Sequence, residues 1–335
     1  MMNILFRCDG SNEIGLGHVS RCLTLALKLK KYSKAKIYFA SKDFDLGIKF
    51  IGDKFPLTVY KKGVLSYTDW LIYSIQELNI DTLILDVRND LNTEELLKIK
   101  SVKQLKIITI DDPENKRLLS DIAIYPPVPQ VDKMKWENYK GELSVGWEYV
   151  IIKDEFLKSS IPKMNSKLKI LVSMGGTDPL NMTNFVIASL NQVKKEFEII
   201  IVLGPGYQYY KNLKLLLDKT NLDYEIIRNP TSFSQIIRIV DFGIISFGQT
   251  AYEFTALGIP ALYICLSDDH NISSSLFESS NFGISAGVFS DIDNTTFSNH
   301  LNNIFKNFSL MKKSILKSNI NKKMKSDKLI NLILK

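Results

Sequence analysis

The stretch RCDGSNEIGLGHVSRCLTLA, residues 7–26, decides how this chain is read. The apolar run Asn3–Phe6 leads into it, and apolar residues at helical spacing lead out over Val19–Lys30. A strand ending near Arg7 and a helix beginning near His18 leave Gly15-Leu16-Gly17 as the loop between them. Glycines allow positive φ and close approach of backbone to a ligand. The first turn of a helix carries free N–H groups that suit a phosphate or another anion.

Outward from this unit the pattern alternates. Strands are expected at Lys36–Ala40, Thr82–Leu85, Lys106–Ile110 and Ile122–Tyr125, with helices at Thr68–Leu78 and Thr93–Ile99. Short β-branched runs separated by helices imply parallel strands with crossover helices. The prolines of YPPVPQ, Tyr125–Gln130, exclude helix and central strand. A polar break, IPKMNSK at 161–167, precedes a second alternation. Its strands are expected at Lys169–Ser173, Glu198–Leu203, Tyr224–Ile227, Phe242–Ile245 and Ala261–Cys265. Its helices are expected at Leu180–Val193, Lys211–Asp218, Ser232–Val240, Thr250–Leu257 and Ser273–Ser279. The expected fold is therefore α/β, with two Rossmann-like parallel-sheet domains facing across a cleft. The expected boundaries are 1–155, 166–300 and a basic helical tail at 301–335. Clefts between domains, beyond the carboxyl ends of strands, are favoured ligand sites.

Composition narrows the class. A chain of 335 residues is long for one core, and 45% apolar with 24% charged residues is ordinary for a globular protein. No apolar run is long enough to span a bilayer, and the start is read as lacking a signal peptide. Cys8, Cys22 and Cys265 are odd in number and fall in expected core elements, which favours reduced thiols and a cytoplasmic location. Eight lysines and one aspartate between Lys312 and Lys335 account for the whole net charge of +7. Such a tail reads as a solvated helix face, with peripheral contact to a membrane as the lesser reading. Basic residues are not interleaved with aromatics and no groove-reading motif is present, so no nucleic-acid partner is expected.

Three chemistries compete for the opening motif. The dinucleotide fingerprint needs a third glycine, where this chain has Ser20, and Lys42 follows the second strand without a well-placed acid for a ribose. Cys8, His18 and Cys22 are not spaced as a zinc cluster, so neither metal nor cofactor is expected. Asp43 and Asp45 read as an exposed loop or helix start. That leaves His18. A lone histidine is more often structural, yet this one follows two space-clearing glycines at a strand's carboxyl end. The helix dipole there disfavours imidazolium, so a neutral ring able to accept a proton is expected. Arg21, one turn on, is expected to pair with Asp9 or with a substrate anion.

Two further loops repeat the arrangement. In SFGQTAYEFTALGIP, Ser246–Pro260, the residues Ser246, Gly248, Gln249 and Thr250 surround a helix start and offer a second anion contact. Glu253, one turn into that helix, either accepts two ribose hydroxyls or complements the helix dipole. In SMGGTDP, Ser173–Pro179, Gly175 and Gly176 permit backbone approach, and Thr177 or Asp178 supplies the N-cap. Three such loops in register point to a phosphorylated ligand.

On these residues the chain resembles the GT-B-fold UDP-sugar hydrolases of the pseudaminic acid pathway, which remove UDP from UDP-2,4-diacetamido-2,4,6-trideoxy-β-L-altropyranose. The likeness runs over roughly residues 3 to 290. It is strongest in RCDGSNEIGLGHVSRCL, then MGGTD, then AYEFTALGIP. The last motif is shared with the lipid-linked N-acetylglucosaminyltransferase of peptidoglycan synthesis. The resemblance implies that His18 is catalytic, that Glu253 holds the uridine ribose and that Ser246–Thr250 is the diphosphate loop. It also implies that backbone around Ile227 meets the uracil. Asp9, Gly15, Gly17, Arg21 and Asp86 are then expected to contact substrate in the first half. Gly175, Gly176, Thr177 and Asn271 are expected to do so in the second.

This chain departs from the family pattern at three places. The family reads Asp-His-Tyr after its third main strand, where this chain reads Asp86-Val87-Arg88-Asn89-Asp90. The family's later Asn-Gln is Asn271-Ile272, with His270 before it, and YPPVP replaces an Asn-containing segment. The resemblance puts these changes on the sugar side, leaving open a different sugar or an acceptor other than water. The expected activity is metal-independent hydrolysis of a UDP-linked hexose by a monomer, in nonulosonic acid or surface polysaccharide synthesis. A UDP-sugar glycosyltransferase, a hydrolysing epimerase and a non-catalytic nucleotide-sugar sensor are the alternatives.

Overall fold

A computed structural model describes residues 2–158 and 167–335. Of the polar break read at 161–167, residues 161–166 lie outside the described part. The chain forms two compact units, one of residues up to Ile151 together with Ser326–Lys335, the other Ile152–Lys325.

The first unit runs β1 (Asn3–Cys8), α1 (Gly17–Tyr32), β2 (Lys36–Lys42), α2 (Asp45–Ile51), β3 (Leu57–Tyr60), α3 (Tyr67–Glu77), β4 (Thr82–Asp86) and α4 (Thr93–Val102). It continues through β5 (Lys106–Ile110), β6 (Ile122–Tyr125) and β7 (Glu142–Val145). The seven strands are all parallel in the order β3-β2-β1-β4-β5-β6-β7. Alternate residues of one strand enter opposite cores: Ile4, Phe6 and Cys8 pack on the α1 face, and Leu5 packs with Leu71 and Ile75 of α3. Both faces of the sheet are covered, so the central strands are apolar throughout rather than alternating. Two edge strands escaped the sequence reading for a related reason. Strand β3 is only half-buried, and β7 buries Ser144 alone, so neither carries a strong apolar pattern.

The second unit runs α5 (Asp154–Leu157), β8 (Leu168–Ser173), α6 (Met182–Leu190), β9 (Phe197–Leu203), α7 (Tyr210–Leu217), β10 (Asp223–Arg228), α8 (Phe233–Ile237) and β11 (Phe242–Ser246). It continues with α9 (Gln249–Ala256), β12 (Ala261–Cys265), α10 (Asp268–Ser279), β13 (Gly283–Val288), α11 (Asn294–Ser318) and α12 (Ile320–Met324). Its six strands are also parallel, in the order β10-β9-β8-β11-β12-β13. Strand β13, GISAGV, holds two glycines and was not read as a strand.

The stretch 301–335, read as one tail, divides between the two units. Asp293 caps α11 through the Thr296 N–H, 2.7 Å away. The helix then buries Phe297, Leu301, Ile304, Phe305 and Met311 in the second core, with Ile315 also buried further along. A last helix, α13 (Lys328–Leu334), buries Leu329, Ile330, Leu332 and Ile333 beside α1 in the first. Lys106 Nζ donates to the carbonyl of Ile333 at 3.0 Å, closing that helix end. Seven of the eight tail lysines are exposed, as a solvated helix face requires.

Candidate active site

Each sheet reverses its strand order beside its first strand, between β1 and β4 in one unit and between β8 and β11 in the other. Loops leaving the carboxyl ends of strands on either side of such a reversal diverge and open a crevice. The expected site residues fall largely on these four loops and the helices that follow them.

In the first unit, β1 and β4 pair so that Cys8 lies opposite Asp86 at the sheet's carboxyl edge. Helix α1 starts at Gly17, which puts His18 in its first turn and Arg21 one turn later. His18 Nδ1 lies 2.6 Å from Asp86 Oδ1. Arg21 donates to the same carboxylate with both Nη2, at 2.6 Å to Oδ1, and Nε, at 2.8 Å to Oδ2. Burial alone would raise the Asp86 carboxyl, but the charges and hydrogen bonds of Arg21 and His18 hold it well below the usual range. An ionised Asp86 accepts hydrogen bonds only, so Nδ1 is the donor in this contact and Nε2 points away from it. The His18 side chain is 24% exposed, against 1% for Asp86, so the ring reaches outward from a buried anchor.

One expectation for this unit is corrected, and three residues expected to touch substrate prove to have partners within the protein. Arg21 pairs with Asp86 and Asp111, not with Asp9. Asp9 is unsuited to holding substrate because Arg7 occupies both its oxygens at 2.7 Å, and the Lys42 N–H and Ser41 hydroxyl add to Oδ1. Asp86, 1% exposed, has its oxygens taken up by His18 and Arg21. Gly15, at φ +77°, gives its N–H to the Ser11 carbonyl at 3.0 Å while Ser11 Oγ takes the N–H groups of Glu13 and Ile14. That loop closes on itself and leaves no cradle of N–H groups for a phosphate. Gly17, exposed and with open space around it, is left to clear room at the helix start.

Beneath this site lies a second charged set. Arg7, fully buried, binds Asp9 and also Asp90 at 2.8 Å, with its Nε donating to Tyr67 Oη at 2.5 Å. Tyr67 and Lys42 complete Asp90's partners at 2.6 Å each. The set ties the loops after β1, β2 and β4 together.

In the second unit the loops after β8 and β11 carry a single acidic residue, Asp178, and no arginine, lysine or histidine. Ser246, the last residue of β11, is buried, and Gly248 enters α9 at φ +154° and ψ −147°, a conformation reserved for glycine. Gln249 and Thr250 begin the helix, half-buried. Gly175, at φ +79°, stands against Ser246: a Cβ on it would lie 3.4 Å from Ser246 Oγ, so the loops after β8 and β11 meet. The backbone of Gly175 and Gly176 packs against Gly204, where a Cβ would lie 2.5 Å from the Gly176 Cα and carbonyl oxygen, so it is Gly204 that has no room for a side chain. Thr177 is buried, and Asp178 accepts the N–H groups of Met182 and Thr183 at 2.8 and 2.9 Å, which makes it the residue that closes the start of α6. Glu253 is half-buried, and burial pushes its carboxyl up to about 8, with Lys153 opposing and Glu155 reinforcing. Ile227 lies near the end of β10, an edge strand with one side of its backbone unpaired in the sheet. Asn271, half-buried on α10, accepts from the Ser285 hydroxyl of β13 at 3.3 Å through Oδ1.

Arg7, Asp90 and Asp111 escaped the sequence reading. An arginine inside the apolar run NILFRC was the available signal for the first. The doublet Asp111-Asp112 at the carboxyl end of β5 was the signal for the last. The three cysteines are unbridged and buried. Among the described residues no cluster of three or more histidine, cysteine, aspartate or glutamate side chains is placed to hold a metal ion, and no helix is long and apolar enough to cross a membrane.

No family model matches the chain. It is 31% identical over 276 residues to the uncharacterized protein MJ1062 of Methanocaldococcus jannaschii, covering 78% of this chain and 55% of that one. The chain thus spans about half the length of that relative. It is 29% identical over 232 residues to the UDP-2,4-diacetamido-2,4,6-trideoxy-β-L-altropyranose hydrolase of Campylobacter jejuni, covering 66% of this chain and 80% of the hydrolase. With the spore coat polysaccharide biosynthesis protein SpsG of Bacillus subtilis it shares 22% identity over 92% of this chain and 91% of the other. The resemblance to the hydrolase thus extends beyond the short motifs. Among solved structures, Acinetobacter baumannii MurG aligns at a TM-score of 0.67 with 14% identity, covering 100% and 99% of the two chains. Spinosyn rhamnosyltransferase SpnG aligns at 0.70 with 12% identity and the same coverage. These are GT-B glycosyltransferases, and the shared fold is that of two Rossmann-like parallel sheets.

Proposed function

We propose that this protein cleaves a UDP-linked hexose, most simply a diacetamido-trideoxy sugar, to UDP and free sugar. The observation that carries the proposal is the Asp86–His18 contact at 2.6 Å, at the strand-order reversal of the first sheet. It anchors one nitrogen of a partly exposed imidazole and leaves the other to take a proton. The relatives named above, one a UDP-sugar hydrolase and one a polysaccharide biosynthesis protein, support the substrate class.

In this reading the second unit holds the nucleotide. Backbone N–H groups at the Gly248 loop and the start of α9 meet the diphosphate, Glu253 accepts from the ribose hydroxyls, and backbone near Ile227 meets the base. The first unit receives the sugar. His18 Nε2 removes a proton from water as the water oxygen attacks the anomeric carbon. The bond from that carbon to the β-phosphate oxygen breaks, and its electron pair leaves with UDP. Attack opposite the leaving group inverts the anomeric centre. Asp86 stabilises the imidazolium that forms. General-base assistance of this kind is worth about 10²–10⁴ in rate. Backbone dipoles serve the leaving diphosphate, so the reaction is proposed to run without a metal.

The test is incubation with a small panel of UDP-diacetamido-sugars in the presence of a chelator, followed by proton NMR. Release of UDP and the inverted free sugar without any acceptor is expected. Product only on adding a sugar or lipid acceptor would identify a glycosyltransferase instead. Ligand binding with no product under either condition would identify a sensor.

A further inference from the structure

We propose that Asp111 is a positioning residue for His18, acting through Arg21 and Asp86; this rests on the reading of His18 as the base. Arg21 spends Nε and Nη2 on Asp86, and its remaining Nη1 donates to Asp111 Oδ2 at 3.2 Å. Arg88 approaches the same carboxylate oxygen with Nη2 at 3.4 Å and donates to the Asp111 carbonyl at 3.3 Å. The chain of contacts therefore runs His18–Asp86–Arg21–Asp111, alternating in charge from the ring outward.

The backbone holds Asp111 where this requires. It stands one residue past β5 at φ +53°, a conformation that disfavours side chains other than those of Asn and Asp. Its N–H donates to the Ile124 carbonyl of β6 at 2.8 Å, so the sheet itself fixes the turn. A guanidinium held by Asp86 alone can pivot about that carboxylate. Held also at Nη1 it cannot, and the Asp86 oxygen shared with His18 keeps its direction.

Charge balance points the same way. Asp86 from β4 and Arg21 from α1 touch the ring, and behind them stand Cys22 from α1, Cys8 from β1, and Arg88 and Asp111 on the loops after β4 and β5. Burial pushes the Cys22 thiol well up, so it is uncharged there. Two guanidiniums against two carboxylates leave the set neutral until His18 takes its proton. Removing the Asp111 charge leaves an excess of +1 next to a ring that must become cationic, which works against protonation.

The experiment compares Asp111→Ala, Asp111→Asn and Asp111→Glu with the unchanged protein. Asp111→Ala is expected to lower kcat about tenfold, with KM and UDP affinity within about twofold. Asp111→Asn keeps an acceptor for Arg21 but loses the charge, and is expected to move the acidic limb of the kcat profile down by about half a pH unit. Asp111→Glu is expected to recover part of the lost kcat. A kcat and pH profile unmoved in both the Ala and Asn variants would overturn the proposal. So would a loss of UDP affinity in step with kcat. Nitrogen-15 NMR of the ring supplies a readout that needs no turnover, because the chain has three histidines and His18 can be assigned. The His18 Nδ1–H signal should shift or broaden in Asp111→Ala. If the unchanged protein releases no sugar, the proposed hydrolysis fails by itself; a His18 signal that also stays fixed in Asp111→Ala sinks the positioning role as well.

Discussion

The two sheets share a strand order, and their reversal points carry opposite chemistry. Around β1 and β4 stand an imidazole, two arginines and a set of buried carboxylates, with the glycine loop closed on itself. Around β8 and β11 stand glycines, serine and threonine, with one half-buried glutamate whose carboxyl is pushed up to about 8. Topology fixes where a ligand can lie; side chains fix what can be done to it there. An imidazole oriented by a buried carboxylate suits proton transfer. A neutral loop at a helix start suits holding a diphosphate that brings its own charge.

The contrast can be broken first at Arg7. Its removal leaves Asp9 without its guanidinium and Asp90 with Lys42 as its remaining cation. Arg7→Ala is expected to cost about 3–5 kcal/mol in urea unfolding, the penalty of an orphaned buried charge. A loss under about 1 kcal/mol would mean that the buried charges of the first unit do not organise its loops.

A smaller effect sharpens the other side. With its carboxyl at about 8, Glu253 is largely protonated at neutral pH in the free protein. Ribose hydroxyls donate best to the ionised form, so UDP binding should expel a proton. Affinity measured by calorimetry is expected to rise from pH 6 to 8, by no more than about tenfold per pH unit, and then level off. Glu253→Gln should abolish the slope. The stability sign is opposite. A carboxyl raised above its ordinary 4.5 favours folding while protonated, and that contribution is fully present below about 4.5 and lost as pH rises through about 8. Thermal melting of the Gln variant should therefore decline less over that window.

Much of this was legible in the residues. Strand–glycine loop–helix units placed His18, Gly175, Ser246 and Gly248 where strands give way to helices, because periodicity and glycine spacing are local signals. The pairing of Arg21 was not, since Asp9 and Asp86 are equally plausible partners until β4 is known to lie beside β1. The neighbours of Asn271 and Gly176, Ser285 and Gly204, were hidden for the same reason, since they come from other strands and loops. Edge strands β3 and β7 were silent because half-exposed strands need little apolar sequence. The last ten residues join the first unit through contacts more than two hundred positions apart in sequence, which no local pattern encodes.

The central claim is that the charged site performs chemistry on a nucleotide-sugar whose nucleotide the neutral site holds. The most direct measurement is turnover of UDP-sugar by His18→Ala alongside its affinity for UDP. A fall in kcat of about 10²–10⁴ with UDP affinity unchanged is expected. Unchanged turnover, or turnover and UDP affinity lost together, would contradict the account.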